Sequence, residues 1–564
     1  MSFSDDYFIL NGLLEFVSTF KRGDTLDWLK NKTQWFDSFY RNIFVILFVI
    51  INIVFLIHTT NYLFGNHDFD YVMHGVGLSL WNGRYTNALP LKICGGYLSP
   101  VLNNLLSILA MITSAMLICA YWGLPKRKRY WLSACLLPML LPYVVTWFYY
   151  SYETFSHTLL PGIAVGALWL VRDKMNLERL VISVGLIWFT LGIYPSILSI
   201  FVLIICAQLI IDILNKDLKE IFHRNVRFFI VLLGGGVLFK ITLLVLKVTG
   251  KLSPSLYNLS VPTAPELVKK LIPELILGIK QFFHNTPYIS IPLKMLIFLT
   301  VVVAIFLTLV HIDRTKFVSK LQNFGRFIFL LFLWCGMFFA CMIPDYLSQD
   351  DFAFVVRTAY FGLPFLALIC FTLICRLGNK QIINFSIIVI IIILWCSAVS
   401  DFEIQKNWKI GFENEILAYS RVLSMIEQNP DVSKLEPAIN YLQVGSLPSK
   451  RKAFCRPPVT DGIASLELHS FEFNPDWSPR AGVVFDYLGN SLKWKYRGSF
   501  RVDLETISQK IDLTSTGFMN FLKQAKAYPA PSEQCLYVDI KNNSLVVVLN
   551  EKALEELKVN LGIN

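Results

Sequence analysis

The chain has 564 residues, of which 55% are hydrophobic and only 16% charged, and its mean hydropathy is +0.53. Soluble domains carry about 25% charged residues, so this composition excludes an ordinary soluble globular protein and indicates a polytopic membrane protein. The formal net charge of +11 is accounted for below by membrane orientation and contact with anionic headgroups, which leaves no reason to invoke nucleic acid.

Residues 1–42 are mixed and polar. Phe8 to Phe20 has apolar residues at helical spacing and is followed by Lys21 and Arg22; a helix on the membrane surface and an ordinary solvated helix both fit. The first long apolar run comes late and is too long for the core of a signal peptide, so no cleavable leader is expected. A helix needs about 20 apolar residues to cross the hydrocarbon core, and on that ruler the chain holds about eleven spans. They fall near 43–63, 101–123, 131–149, 157–171, 180–194, 197–214, 227–247, 293–312, 327–343, 358–376 and 382–400. Gly234-Gly235-Gly236 lies inside one of these runs and reads as close helix packing, not as a phosphate cradle.

Basic residues set the orientation. Lys126 to Arg129, then Arg172, Lys174 and Arg179, then Lys216, Lys219 and Arg224, then Arg314, Lys316 and Lys320, and finally Arg376 and Lys380 occupy alternate loops. By the positive-inside rule that side is cytoplasmic, together with the N-terminus. The C-terminal region is then expected outside.

Composition shifts at Ser400-Asp401. Ile410 to Gln428 reads as an amphipathic helix. Leu442 to Val444, Val483 to Phe485, Cys535 to Ile540 and Ser544 to Leu549 read as strands, and Glu551 to Val559 as a helix. This describes a small α/β domain over 401–564, a normal domain size. The expected organisation is an N-terminal segment 1–42, a transmembrane domain 43–400 and an external domain 401–564. Cys455 and Cys535 are the only cysteines of that last domain, and in an oxidising compartment a bridge between them is expected.

Polar clusters sit where the spans meet the outer surface. After the first span comes Asn66-His67-Asp68-Phe69-Asp70-Tyr71-Val72-Met73-His74, and then Trp81-Asn82-Gly83-Arg84. Charged groups at the membrane edge are costly unless they serve a purpose. Asp68 fits a helix N-cap as well as a catalytic base. Sugar transfer from a polyprenyl phosphate needs a base for the acceptor hydroxyl and cations for the departing phosphate. Asp68 or Asp70 with Arg84, and His74 beside them, supply both kinds. Between the third and fourth spans, Tyr149-Tyr150-Ser151-Tyr152-Glu153-Thr154-Phe155-Ser156-His157 offers one acid, Glu153. Tyr152, His157 and the earlier Trp81 offer surfaces for a sugar, and the tyrosines fit an aromatic belt equally well. Arg357, at the start of the tenth span, and Lys240, within the seventh, are candidates for the lipid phosphate or simple snorkelling residues.

The late first span, the loop HDFDYVMHGVGLSLWNGR and the second acid in the next outer loop resemble the GT-C class of polyprenyl-phosphate-dependent glycosyltransferases. Within that class the chain looks most like the bacterial and phage GtrII-type O-antigen glucosyltransferases, over roughly 40–400. The resemblance implies an undecaprenyl-phosphate-linked sugar donor, glucose above all, and an inverting transfer to a periplasmic-face glycan such as the O-antigen of lipopolysaccharide, with serotype conversion as the outcome. A bacterial inner-membrane location follows, along with a donor-synthesising enzyme and a flippase as partners. It assigns Asp68 or Asp70 as base, Glu153 as the second acid, and Arg84 and Arg357 as phosphate ligands. Phe69 splits the family's adjacent acidic pair, so either aspartate fits the base. Some members use a divalent cation; this sequence has no recognisable metal spacing, which leaves the metal open.

Two alternatives compete. A flippase for lipid-linked sugars should bury charges in several helices and show internal repeats. An O-antigen ligase or polymerase should cluster its acids in one large late loop, and 248–292 lacks them.

Overall fold

The structure is a computed structural model. It describes residues 37–61, 85–87, 89, 100–141, 154–215, 218–251, 273, 291–314, 320–341, 362–445, 488, 492–499 and 507–563.

The bundle is built from α1 (Ser38–Val54), α2 (Leu56–Thr60), α3 (Pro100–Tyr121), α4 (Lys128–Leu140), α5 (Thr154–Arg172) and α6 (Leu177–Ile193). It continues through α7 (Leu198–Asn215), α8 (Leu218–Val248), α9 (Ile291–Arg314), α10 (Lys320–Cys341), α11 (Leu363–Leu377) and α12 (Lys380–Gln428). Among the described residues six helices are long and apolar enough to cross a membrane, and Ser38–Val54, Gly325–Cys341 and Leu363–Leu377 are shorter apolar helices. Side-chain caps start several of them. Asp37 accepts from Phe39 N at 2.6 Å, Asn176 from Arg179 N at 2.9 Å and Asn379 from Ile382 N at 2.9 Å. Each takes up an amide that the first helical turn leaves without a partner.

Inside the bundle α5 packs on α3 and α6, α7 on α10, α9 on α11, and α4 on α11 and α12. Outside it, Val49 and Ile53 of α1, Leu233 and Leu244 of α8, and Ile388 and Trp395 of α12 are exposed, as suits helices surrounded by lipid. Gly235 of α8 lets that helix close on α6: a Cβ there would lie 2.4 Å from Ile187 Cγ2. Gly234 and Gly235 are therefore packing positions, as their place in an apolar run implied, while a Cβ at Gly236 would meet nothing within 4 Å.

One end of the bundle gathers the basic residues. Lys126 pairs with Asp37 at 2.9 Å, Arg172 donates to the Tyr121 carbonyl at 2.7 Å, Arg376 donates to the Trp122 carbonyl, and Arg224 pairs with Asp212. These contacts tie together the ends of α1, α3, α5, α7, α8 and α11, and those to Tyr121 and Trp122 take up carbonyls that the end of α3 would otherwise leave without a partner.

α12 is 49 residues long, about 73 Å at 1.5 Å per residue. It runs without interruption through Ser400 and Asp401, where composition shifts. Its first part lies in the bundle, while Tyr419, Val422, Leu423 and Ile426 belong to a separate core. That core is one side of a four-stranded sheet of β1 (Ile439–Val444), β2 (Trp494–Ser499), β3 (Leu536–Asp539) and β4 (Ser544–Val548), in the order β2-β1-β4-β3. β1 pairs in parallel with β2 and β4, and β3 is antiparallel to β4. The other side is covered by Phe518 and Leu522 of α13 (Thr516–Gln524) and Leu554 and Leu557 of α15 (Glu551–Asn560). With both faces covered, every residue of β1 and β4 is buried, the usual condition of a central parallel strand. The expected strands at Leu442 to Val444, Cys535 to Ile540 and Ser544 to Leu549 are β1, β3 and β4. Val483 to Phe485 lies outside the described residues, and β2 was not anticipated.

The short helix α14 (Ser532–Cys535) ends on Cys535. Cys535 is a free, buried thiol whose sulfur lies 3.3 Å from the Ala530 carbonyl and 3.4 Å from Met425 Sδ. Cys455, the other half of the expected bridge, lies outside the described residues. Burial pushes the Cys535 thiol up to about 11, so it holds little thiolate, the form that exchanges.

Candidate active site

Asp68, Asp70, His74, Trp81, Arg84, Tyr152, Glu153 and Arg357 lie outside the described residues. What is described is the frame on both sides of the 62–84 segment, and it is tightly made.

The entry side is a broken helix. α1 stops at Val54, Phe55 takes φ −95° and ψ 25°, and α2 resumes at Leu56. In a continuous helix the His58 amide would donate to the Val54 carbonyl. Here the Gln405 carboxamide stands between them: Nε2 donates to Val54 O at 2.8 Å, and Oε1 accepts from His58 N at 3.5 Å. Insertion of a side chain into the backbone ladder is a recognised cause of a helix kink. The His58 carbonyl, at the end of α2, accepts from Asn104 Nδ2 of α3 at 2.8 Å. The break leaves the Val54 carbonyl and the His58 amide to Gln405, and the end of α2 leaves the His58 carbonyl to Asn104.

The exit side is docked on α6. Thr86 Oγ1 donates to Phe189 O at 2.6 Å, Thr86 N to Gly192 O at 3.3 Å, and Tyr85 Oη to Trp188 O at 3.4 Å. Only glycine fits at 192, since a Cβ would lie 2.5 Å from the Tyr85 ring and 2.6 Å from Thr86 Oγ1. Arg84 is the residue immediately before this dock.

His157 belongs to the same end. It is buried in the first turns of α5, directly after the Tyr152-Glu153 pair in sequence, and its ring centroid lies 4.8 Å from that of Tyr194. Tyr194 follows α6, two residues beyond the Gly192 dock. The structure thus brings His157 and the exit of the 62–84 segment to one place. It does not bring Lys240 there: that side chain is exposed on the outside of α8, beside Val237 and Ile241. Among the described residues no group of three or more His, Cys, Asp or Glu is placed to hold a metal ion.

Two residues at this end escaped the sequence reading. Gln405 was counted with the external domain, though it belongs to the bundle. Asp401, one turn earlier on α12, is fully buried, and neither carboxylate oxygen has a hydrogen-bond partner among the described residues. Counted from Lys380 it stands about 31 Å along the helix axis, near the full thickness of a hydrocarbon core. A carboxylate and a carboxamide one turn apart at the end of a long apolar run were the available signal.

Comparison with known proteins gives this frame its class. Residues 60–395, more than half of its length, match the family model described as Glucosyl transferase GtrII, and the chain belongs to that family. A solved structure of the Archaeoglobus fulgidus oligosaccharyltransferase, in complex with Zn and sulfate, is similar over 71% of this chain and 60% of that chain, at 12% identity and a TM-score of 0.35. The chain therefore spans less than two thirds of that protein. No curated protein sequence matches.

Proposed function

We propose that the protein moves a glucosyl group from an undecaprenyl-phosphate carrier to a glycan on the periplasmic face of a bacterial inner membrane, the O-antigen of lipopolysaccharide being the acceptor that fits best. The observation that carries this reading is the extent of the family match. Residues 60–395 enclose Asp68, Asp70, His74, Trp81, Arg84, Tyr152, Glu153, His157, Lys240 and Arg357. The anchoring of the chain on both sides of 62–84 supports it further, since a reacting loop must be held to within fractions of an ångström.

The chemistry is an inverting displacement. Asp68 or Asp70 takes the proton of the acceptor hydroxyl as its oxygen attacks the anomeric carbon. The bond from that carbon to the phosphate oxygen breaks on the opposite face, and the lipid phosphate leaves with the electron pair. Arg84 and Arg357 hold the departing charge by bidentate donation, helped by His74; Lys240, on the lipid side of α8, reaches a phosphate only by snorkelling. Glu153 orients the acceptor, and Trp81, Tyr152 and His157 line the sugar. The basic end of the bundle faces the cytoplasm by the positive-inside rule, which puts residues 401–564 in the periplasm. Synthesis of the donor and its flipping across the membrane are the steps that must precede this one.

The test is purified protein given polyprenyl-phosphate glucose and an O-antigen acceptor in detergent or nanodiscs. Release of polyprenyl phosphate together with a hexose mass increment on the acceptor is the expected result. Movement of the donor across proteoliposomes with no release of sugar would replace the enzyme by a flippase.

A further inference from the structure

The carboxamide of Gln405 stands between Val54 and His58, at the break between α1 and α2. Its two polar ends match the two groups that the break leaves: a carbonyl at Val54 and an amide at His58. An insertion of this kind does two things at once. It satisfies both groups, so the kink costs little, and it fixes the direction in which α2 leaves α1. α2 ends at Thr60, and Asn61 is the last described residue before the 62–84 segment. Asp68 follows Asn61 by seven positions.

Gln405 is also not a residue of the neighbouring bundle helices in sequence terms. It lies 351 positions after Val54, on the helix whose far end forms the core of the C-terminal domain. From Gln405 to Tyr419 the helix has no break and spans about 21 Å. A continuous helix transmits position along its axis, so displacement of the domain is passed to the kink.

We propose that Gln405 is a positioning residue for sugar transfer: its carboxamide, spliced into the backbone ladder at Phe55, sets the direction of α2, which leads toward Asp68 and Asp70 in sequence, and makes that direction depend on the helix bearing the C-terminal domain. This rests on the reading of 62–84 as the catalytic segment. Gln405 touches no reacting atom; it acts through the Val54 and His58 peptide groups.

The test is a pair of variants, each read by kinetics and by structure. Gln405→Leu removes both polar ends at nearly constant volume, which lets His58 N return to Val54 O. Electron cryomicroscopy of this variant is expected to show one continuous helix from Ser38 to Thr60. Its kcat is expected to fall about tenfold or more, with the donor KM within about threefold of wild type, because a misplaced reacting group costs rate more than binding. Should the leucine variant fail to insert, Gln405→Glu carries the same readouts, as it keeps the shape and the acceptor but loses the amide donor to Val54 O. An unchanged kcat in a variant whose helix has straightened would overturn the proposal while leaving the enzyme reading intact. Full activity in an Asp68→Asn, Asp70→Asn double variant would instead overturn the reading of the segment, and the role given to Gln405 with it.

Discussion

Arg224 donates from Nη1 to both carboxylate oxygens of Asp212, at 2.7 and 2.6 Å, and Gln208 Nε2 donates to the same carboxylate at 2.9 Å. Both charged side chains are almost fully buried. The pair joins α7 to α8 across the short turn at the basic end, and Arg224 Nε reaches the Arg172 carbonyl at 3.3 Å. Removing one partner leaves a charge buried without compensation, typically about 3–5 kcal/mol of stability. Asp212→Asn is therefore expected to melt well below wild type in detergent. An Asp212→Leu, Arg224→Leu double variant should recover part of the loss, since no charge is left buried without its partner, although Gln208 Nε2 and the Arg172 carbonyl each lose a bond. Equal melting temperatures for wild type and the single variant would remove this pair from the account of stability.

Asp68→Asn or Asp70→Asn, whichever replaces the base, should cut glucosyl transfer by about 10²–10⁴-fold, with normal amounts of protein in the membrane. The other aspartate should matter less, and the comparison names the base. Wild-type rates in both single variants and in the double would make the loop structural.

Apolar helices were legible because apolar runs of helix-spanning length have few other uses, although among the described residues six helices, against about eleven expected spans, are long and apolar enough to cross a membrane. The kink at Phe55 was not, because nothing near Phe55 causes it: the agent is Gln405, 351 positions away. β2 was missed for a similar reason. Trp494 to Ser499 reads Trp-Lys-Tyr-Arg-Gly-Ser, a polar string whose strand character comes from pairing with β1. The boundary at Ser400-Asp401 was a real change of composition laid over an unchanged helical period. A helix that leaves a membrane alters which residues it exposes, not its backbone. The cysteine pairing was argued from a count of two cysteines, which says nothing of where each sulfur points.

Cys535 tests that last point directly. As a buried thiol pushed up to about 11, it should react slowly with alkylating reagents in the folded protein at neutral pH. After denaturation without reductant it should be labelled completely. Protection that persists until a reductant is added would restore a disulfide and overturn the free-thiol description.

The contact between Lys126 and Asp37 predicts a small acid sensitivity. The hydrogen bond from Lys126, at 2.9 Å, holds the Asp37 carboxyl below its usual range, and the same bond raises the Lys126 ammonium. A depressed carboxyl stabilises the fold above its unfolded-state pKa, and that contribution is lost as pH falls through the folded value; the raised ammonium contributes below its unfolded pKa and is lost as pH rises through its folded value. The pair is thus in force at neutral pH and absent well below the carboxylate range. Because both groups are exposed, the effect is modest. Asp37→Asn should melt slightly below wild type at neutral pH, and the gap should close on acidification. A gap that stays constant with pH would assign the loss to the helix cap on Phe39 alone.

Asp401 poses the sharpest stability question in the bundle. Its side chain is fully buried one turn before Gln405, and neither carboxylate oxygen has a hydrogen-bond donor among the described residues. An unsatisfied buried polar group costs roughly 1–3 kcal/mol, and acids at membrane depth are rare for that reason. Asp401→Leu removes the cost and retains most of the volume, so the variant is expected to melt several degrees above wild type in detergent. Asp401→Asn should gain less, because the carboxamide brings its own unsatisfied donors. Transfer activity, measured alongside, then separates two reasons for keeping a costly residue: a stabilised but slower enzyme means that the acid serves catalysis, and a stabilised enzyme of normal rate means that it does not. A leucine variant that melts below wild type would show that the carboxylate is held by a favourable contact, and the description of Asp401 as an unsatisfied acid would fall.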